Sequence, residues 1–167
     1  MNPQLELLAY AAVHNLRAAG LSLATAESCT GGLIAAAITG VPGASQVFRY
    51  GWVTYSAEAK ERLLHVPPAL IEEHSVVSEP VVAAMAESAM RQAAADIGIA
   101  VSGNAGPDAA EGEPPVGTVC IALARRGAPR PTHTETIYRP GMARNDFRAM
   151  VAARVLELVS GLAAEKA

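Results

Sequence analysis

The sequence predicts an α/β protein, a three-layer α/β/α sandwich with a mixed sheet of about five strands. Segments of helical and strand-like periodicity alternate along the chain, an order typical of helices packed on both faces of a sheet. The 167 residues are 51% apolar and 17% charged, which indicates a folded chain with an aliphatic core. A chain of this length buries roughly 70% of its unfolded surface, so we expect one domain spanning residues 1–167.

The first part of the chain predicts a helix followed by a unit of strand, turn and helix. Apolar residues recur close to every 3.6 positions over 3–19, and Gly20 follows as a stop signal. Residues 21–25 are apolar or β-branched and favour a strand. A second helix is predicted over 30–39, closed by the turn-rich segment 40–43.

The middle of the chain predicts an aromatic strand and two helices with serine caps. Residues 46–55 combine aromatic and β-branched side chains, as strands do. Ser56 is a predicted N-cap for the helix that follows. Ser78 can cap a longer amphipathic helix over 79–95, whose second residue is proline, a residue suited to a first helical turn.

The last part predicts three strands and a closing helix. The nearly all-apolar run 97–102 is typical of a central strand buried on both faces, and a polar loop follows it over 103–115. Residues 116–124 and 132–138 predict an antiparallel pair. A final helix is predicted over 142–162.

Charge and composition exclude several classes of protein. The net charge of −3 gives no overall attraction to nucleic acid, so we expect no nucleic-acid partner. No run reaches the roughly 18 apolar residues of a membrane span, and we expect a cytoplasmic protein. Cys29 and Cys120 are too few and too far apart for a disulfide framework or a zinc site, so no metal is predicted.

The seven residues Ala-Glu-Ser-Cys-Thr-Gly-Gly over 26–32 predict a functional site. They place two rival nucleophiles, Ser28 and Cys29, beside the unpaired N–H groups of a helix N-terminus, where an anion can bind. Gly31 and Gly32 allow a ligand to approach the backbone. Two structural alternatives remain open, because serine is a common helix cap and free cysteine is often a small buried hydrophobic residue.

Lys60 is the side chain best placed along the sequence to activate a serine. It follows the aromatic strand directly, and burial there would lower its pKa and leave a neutral amine able to accept a proton. An exposed helix lysine is an equally valid interpretation of the spacing.

Arg144 and Arg148 lie four residues apart and therefore share one face at the start of the last helix. Positive charge in a first helical turn opposes the macrodipole, which favours acidic residues there. An anion bound between the arginines and the helix N-terminus explains the pair, and a phosphate fits its geometry. A solvated surface pair is the alternative.

Several sequence blocks together resemble the CinA C-terminal domain family. In chain order they are AESCTGG, VPGASQVFRYGWVTYSAEAKERLLHV, VSEPVVAAMAE, AVSGNAGP, PVGTVCIAL and GMARNDFR. They run from about residue 26 to 148, so the resemblance covers nearly the whole chain. Stand-alone members of this family are nicotinamide-nucleotide amidases, and many members carry the domain behind a larger nucleotide-pyrophosphatase domain. A chain that begins at its own Met1 is expected to lack that second activity.

The resemblance implies hydrolysis of the carboxamide of nicotinamide mononucleotide to nicotinate mononucleotide and ammonia, without a metal or organic cofactor. It implies a serine/lysine mechanism in which Ser28 is the nucleophile and Lys60 removes its proton, with Tyr55 or Ser102 as a relay. Arg144 would anchor the nucleotide phosphate. A homodimer is also expected from the family. The substrate-binding residues that this interpretation predicts are Thr30, Gly31, Gly32, Ser102, Gly103, Asn104, Arg144 and Arg148.

Three departures from the family pattern leave the substrate open. Ser102 stands where a threonine is usual, Asn104 stands where an aliphatic residue is usual, and the loop over 108–115 is more acidic than its glycine-rich equivalent. Hydrolysis of a different small amide is therefore one alternative. A non-catalytic module that binds a nucleotide or a protein partner is another.

Overall fold

In the computed structural model, which describes residues 2–128 and 133–165, helices cover both faces of a five-stranded sheet. The elements in chain order are α1 (Pro3–Ala18), β1 (Leu23–Glu27), α2 (Leu33–Thr39), β2 (Phe48–Val53), α3 (Ala57–Leu64), α4 (Pro68–His74), α5 (Glu79–Gln92), β3 (Ile97–Gly103), β4 (Thr118–Arg125), β5 (His133–Tyr138) and α6 (Arg144–Ala164). No helix among the described residues is long and apolar enough to cross a membrane.

The strand order of the sheet is β2-β1-β3-β4-β5. Strand β1 lies parallel to both β2 and β3, whereas β3–β4 and β4–β5 are antiparallel pairs. The α/β prediction with a mixed sheet of five strands is therefore confirmed, and so is the predicted antiparallel pair near the C-terminus.

The two faces of the sheet differ in the size of their side chains. Toward α1, α2 and α6 the strands present large aliphatic residues, such as Leu23, Ile99 and Ile121. Toward α5 they present small ones, such as Ala100 and Ala122. Small residues allow the axis of α5 to lie close to the sheet. The large side chains on the opposite face fill a thicker core between the sheet and α1, α2 and α6.

Strand β1 and helix α2 both begin later than their sequence predicts. Strand β1 continues to Glu27, which pairs with Val53 and Val101, so Glu27 belongs to the strand and not to the turn after it. Gly31 and Gly32 have φ angles of 59° and 91°. A left-handed backbone cannot continue a right-handed helix, so both glycines precede α2.

Other element boundaries differ more modestly from the predictions. A short 3-10 helix, Ala44–Gln46, occupies the start of the segment predicted as a strand over 46–55. Helix α5 ends at Gln92, and the Ser78 hydroxyl donates to the carbonyl of Ser75 instead of capping that helix. Helix α6 begins at Arg144 and not at residue 142. The predicted strand over 132–138 starts at a residue outside the described ranges.

Candidate active site

The parallel part of the sheet brings three chain segments to one edge. Strands β1, β2 and β3 are mutually parallel, so their C-terminal ends lie together. Ser28 follows β1, Tyr55 follows β2, and Ser102 lies near the end of β3. The Ser56 side chain accepts a hydrogen bond from the N–H of Ala59 and caps α3 as predicted, which starts that helix directly after β2.

The side chains of Ser28 and Lys60 meet beneath this edge. Lys60 Nζ lies 3.1 Å from Ser28 Oγ, and it donates to the carbonyl oxygen of Thr54 at 2.9 Å. Both side chains are buried, with Lys60 only 1% exposed. The sequence left open whether this lysine is an exposed helix residue, and the structure places it inside.

Burial changes the acid–base chemistry of Lys60. Loss of water around the ammonium group lowers its pKa to about 8, while the nearby Cys29 and Glu113 oppose that change. A substantial fraction of the amine is therefore neutral near pH 8. A neutral amine 3.1 Å from a hydroxyl oxygen is positioned to accept the serine proton.

Cys29 packs in the core. Its side chain is 3% exposed within the apolar cluster shared by α1, α2 and α6. Burial raises the pKa of the Cys29 thiol to about 12, so the thiolate that a nucleophile requires does not form near neutral pH. Of the two rival nucleophiles, the geometry favours Ser28.

The carboxylate of Glu27 occupies the N-terminus of α2. It accepts hydrogen bonds from the backbone N–H groups of Gly32, Ile34 and Ala35 at 3.0, 3.1 and 2.8 Å. The Gly31 N–H donates to the carbonyl of Ser28 at 3.0 Å. The sequence predicts unpaired N–H groups at this helix N-terminus, but those of Gly31 and Gly32 each already have an acceptor.

Two other N–H groups of the same turn remain available. The Ser28 N–H donates to Val101 and the Leu33 N–H to Thr30. In the part of the chain that the structure describes, the N–H groups of Cys29 and Thr30 have no carbonyl or carboxylate acceptor. Both lie next to Ser28 Oγ in sequence, where donors to a developing oxyanion are needed.

The two arginines of α6 have different surroundings. Arg144 donates to the Tyr55 hydroxyl at 2.9 Å and to the carbonyl of Gly106, and it lines the cavity above Ser28. Arg148 donates instead to the carbonyls of Cys29 and Thr30 at 3.0 and 2.8 Å. Only Arg144 is thus placed where a ligand phosphate can reach it.

A cavity of about 440 Å³ opens over Ser28, within the size range of small-molecule sites, roughly 300–1,000 Å³. One wall is cationic through Arg144, while Asp108 and Glu113 from the acidic loop line another. Predicted residues that border this cavity are Ser28, Tyr55, Ser102, Gly103, Asn104 and Arg144.

Three of the predicted side chains are placed differently from expectation. Thr30 is fully buried and its hydroxyl has no hydrogen-bond partner, so this side chain does not reach a ligand. The Tyr55 hydroxyl bonds to Arg144, which argues against a relay to Lys60. The Asn104 side chain donates to the carbonyl of Pro114 at 2.6 Å and closes the base of the acidic loop.

Sequence reasoning missed two carboxylates that shape the site. Glu27 was read only as part of a turn, although an acidic residue shortly before a helix is itself a capping signal. Glu113 accepts hydrogen bonds from the N–H groups of Val76 and Val77 and so joins the acidic loop to the segment before α5. No local sequence signal indicates these contacts of Glu113, since they join residues 37 and 36 positions apart.

Comparison with known proteins gives one consistent family. The profile described as the CinA C-terminal domain matches residues 5–163. A CinA-like protein of Akkermansia muciniphila is 52% identical over 146 residues, which cover 87% of this chain and 34% of that protein. A CinA-like protein of Geobacter sulfurreducens is 56% identical over 110 residues, covering 66% of this chain and 27% of its own length. The chain therefore spans about a third of the length of the curated relatives it matches.

Solved structures agree with these sequence matches. The competence/damage inducible protein CihA from Agrobacterium tumefaciens superposes with a TM-score of 0.91 at 33% identity, covering 97% of each chain. A competence-damaged protein (CinA) superfamily protein from Enterobacter cloacae superposes with a TM-score of 0.87 at 36% identity, covering 95% of this chain and 92% of that one. The fold described above is thus the fold of these proteins.

Proposed function

Because the chain belongs to the CinA C-terminal domain family, we propose that it is an amidohydrolase that converts nicotinamide mononucleotide into nicotinate mononucleotide and ammonia. The contact of 3.1 Å between Lys60 Nζ and Ser28 Oγ carries this proposal. Burying a lysine side chain lowers the stability of the fold. A module that only binds nucleotides does not require a buried lysine in contact with a serine hydroxyl. A lysine whose pKa is lowered to about 8 is, in contrast, what a general base requires.

The reaction begins with attack of Ser28 Oγ on the carboxamide carbon. The serine proton moves to neutral Lys60, and the carbonyl oxygen becomes an oxyanion held by the N–H groups of Cys29 and Thr30. Collapse of this intermediate breaks the C–N bond, and Lys60 returns the proton to the departing ammonia. Water activated by the same amine then hydrolyses the acyl-enzyme, which releases the nicotinate product and restores Ser28.

Arg144 anchors the substrate in this proposal. Its guanidinium lines the cavity and is held by Tyr55 and the Gly106 carbonyl. A guanidinium that is already oriented binds phosphate with little further loss of side-chain freedom. Tyr55 therefore acts by orienting Arg144, and Ser102 contributes its hydroxyl to the cavity wall.

Ammonia release from nicotinamide mononucleotide by the purified protein tests the proposal. We expect turnover by the wild type and a loss of at least about 10³-fold in kcat for both Ser28→Ala and Lys60→Ala. Glu58→Gln, an exposed substitution on the same helix as Lys60, serves as the matched control and should retain wild-type turnover.

The outcomes of this assay separate the alternatives. A Ser28→Ala variant as active as the wild type overturns the serine mechanism. Ammonia release from another small amide, but not from the nucleotide, points to a different amidase. No hydrolysis of any amide, together with tight nucleotide binding, indicates a binding module.

A further inference from the structure

The guanidinium of Arg148 lies against the turn that carries Ser28 and does not face the cavity. Its Nε donates to the Cys29 carbonyl at 3.0 Å and one terminal nitrogen donates to the Thr30 carbonyl at 2.8 Å. The other terminal nitrogen donates to the side chain of Asn145 at 3.1 Å. Each of its three nitrogens therefore has a protein acceptor.

The Arg148 contacts fix the direction of a donor next to the nucleophile. In a trans peptide group the C=O and N–H bonds point in opposite directions. Arg148 holds the carbonyl of Cys29, so the N–H of Thr30, in the same peptide group, is directed away from the guanidinium. A positive charge on a carbonyl also polarises its peptide group and strengthens the N–H as a donor.

Glu27 restricts the same turn from its other side. Its carboxylate holds the N–H groups of Gly32, Ile34 and Ala35, which removes these donors from competition for a ligand. Between the carboxylate and the guanidinium, the N–H groups of Cys29 and Thr30 have no carbonyl or carboxylate acceptor in the described residues.

We propose that Arg148 is a positioning residue, which together with Glu27 holds the turn over 28–32 so that the N–H groups of Cys29 and Thr30 receive the oxyanion. Arg148 does not bind the substrate phosphate, contrary to its sequence-based interpretation. This inference rests on the proposed amide hydrolysis for its chemistry, but it concerns the reactivity of Ser28 toward any acyl or phosphonyl group.

Steady-state kinetics distinguish the two roles of the arginines. We compare Arg148→Lys with Arg144→Gln, using nicotinamide mononucleotide and nicotinamide riboside, which lacks the phosphate. Arg148→Lys keeps the charge but loses the forked contact, so we expect kcat to fall about 10- to 100-fold on both substrates while KM changes less than twofold. For Arg144→Gln we expect a rise of at least about tenfold in KM for the mononucleotide and a much smaller rise for the riboside.

Arg154→Lys is the matched control on the same helix. Arg154 makes a forked contact with Glu135 that is remote from the turn, so its replacement should leave both kinetic constants at wild-type values. The proposal is overturned if Arg148→Lys keeps kcat, or if its effect is a rise in KM that disappears with the riboside. The second result would assign Arg148 to the phosphate.

A substrate-independent measurement separates this inference from the proposed function. A fluorophosphonate probe phosphonylates Ser28 when Oγ attacks phosphorus, fluoride leaves and Lys60 takes the proton. We expect the labelling rate to fall at least tenfold in Arg148→Lys and in Glu27→Gln, with wild-type folding by circular dichroism. Slow labelling of both variants without any amide hydrolysis by the wild type would refute the proposed function alone. Wild-type labelling rates in both variants would refute this inference alone.

Discussion

The buried amine of Lys60 governs how the activity depends on pH. Burial lowers the pKa of this side chain to about 8 from the ordinary value of 10.5, and the charge of Glu113 acts in the opposite direction. In the proposed reaction the neutral amine accepts the serine proton, and the fraction of neutral amine increases as pH rises. Activity should therefore be low in mildly acidic solution and level off above the pKa of Lys60.

We predict that kcat/KM for nicotinamide mononucleotide rises with pH through a midpoint of about 8. Glu113→Gln removes the negative charge that raises this pKa, so the midpoint should move to lower pH. The measurement is a series of kcat/KM values between pH 6 and 10, taken for both proteins.

Glu111→Gln provides the control for the pH series. Glu111 belongs to the same acidic loop but does not line the cavity over Ser28. Its replacement removes the same charge and should leave the midpoint unchanged. A midpoint that shifts equally in both variants, or activity that decreases through pH 8, contradicts the assignment of Lys60 as the base.

Contact between α5 and β3 depends on a residue without a side chain. A Cβ atom on Gly98 would lie 2.1 Å from the carbonyl oxygen of Ala86 and 2.7 Å from the Cβ of Met90. The backbones of the helix and the strand therefore touch at this point, and the small residues around it allow that approach. Strand β3 leads into Ser102, so this contact supports the cavity wall.

We predict that Gly98→Ala displaces α5 from the sheet and lowers the free energy of unfolding by about 1–3 kcal/mol. Urea unfolding followed by circular dichroism measures this change. Gly161→Ala is the control, since a Cβ there meets no atom within 4 Å and lies in α6. That variant should be as stable as the wild type or more so, by up to about 1 kcal/mol. Equal stability of all three proteins would show that α5 does not rest on Gly98.

Local sequence patterns predicted the type of most elements but not their limits near the site. Periodicity located α1, α5 and α6 because each has a continuous apolar face. The predicted start of α2 was wrong because Gly31 and Gly32 have left-handed backbones, and the sequence alone does not give their φ angles. The predicted end of β1 was wrong because Glu27 pairs with Val53 and Val101 on neighbouring strands. Helix α4, which follows Pro67 and begins at Pro68, went unrecognised.

The site was predictable where chemistry depends on residue type and unpredictable where it depends on distant contacts. A serine in a glycine turn and a lysine after an aromatic strand were recognisable from the sequence and the family resemblance. The contact between Lys60 and Ser28 joins residues 32 positions apart, and that of Arg148 with Cys29 joins residues 119 apart. Such pairs follow from the strand order, which the sequence did not reveal.

The sheet of a single chain leaves β2 at one edge, with its outer backbone groups unpaired by the described strands. Tyr50 and Val53 on this strand are 58% and 50% exposed, and Tyr50 stacks on Trp52. Exposed edge strands with apolar side chains tend to associate. The surface formed by β2 is thus well suited to pack against a second copy of the chain.

We predict a homodimer that uses the surface of β2. Light scattering coupled to size-exclusion chromatography should give twice the mass of one chain, and Tyr50→Lys should shift the protein toward monomer while preserving its circular dichroism spectrum. Leu7→Lys, on the exposed side of α1, is the control and should remain dimeric. A single-chain mass for the wild type would contradict the expectation of a dimer, and a dimeric Tyr50→Lys variant would place the interface elsewhere.

Helix α6 packs on α1, and the Asn15 side chain donates to Ser160 near the end of α6. The same helix carries Arg144 and Arg148 in its first two turns, whereas Ser28 and Lys60 belong to the first half of the chain. During synthesis, the N-terminal segments leave the ribosome first. A nascent chain therefore holds Ser28 and Lys60 before it holds either arginine, and the proposed catalytic site is complete only when the last helix docks on the first.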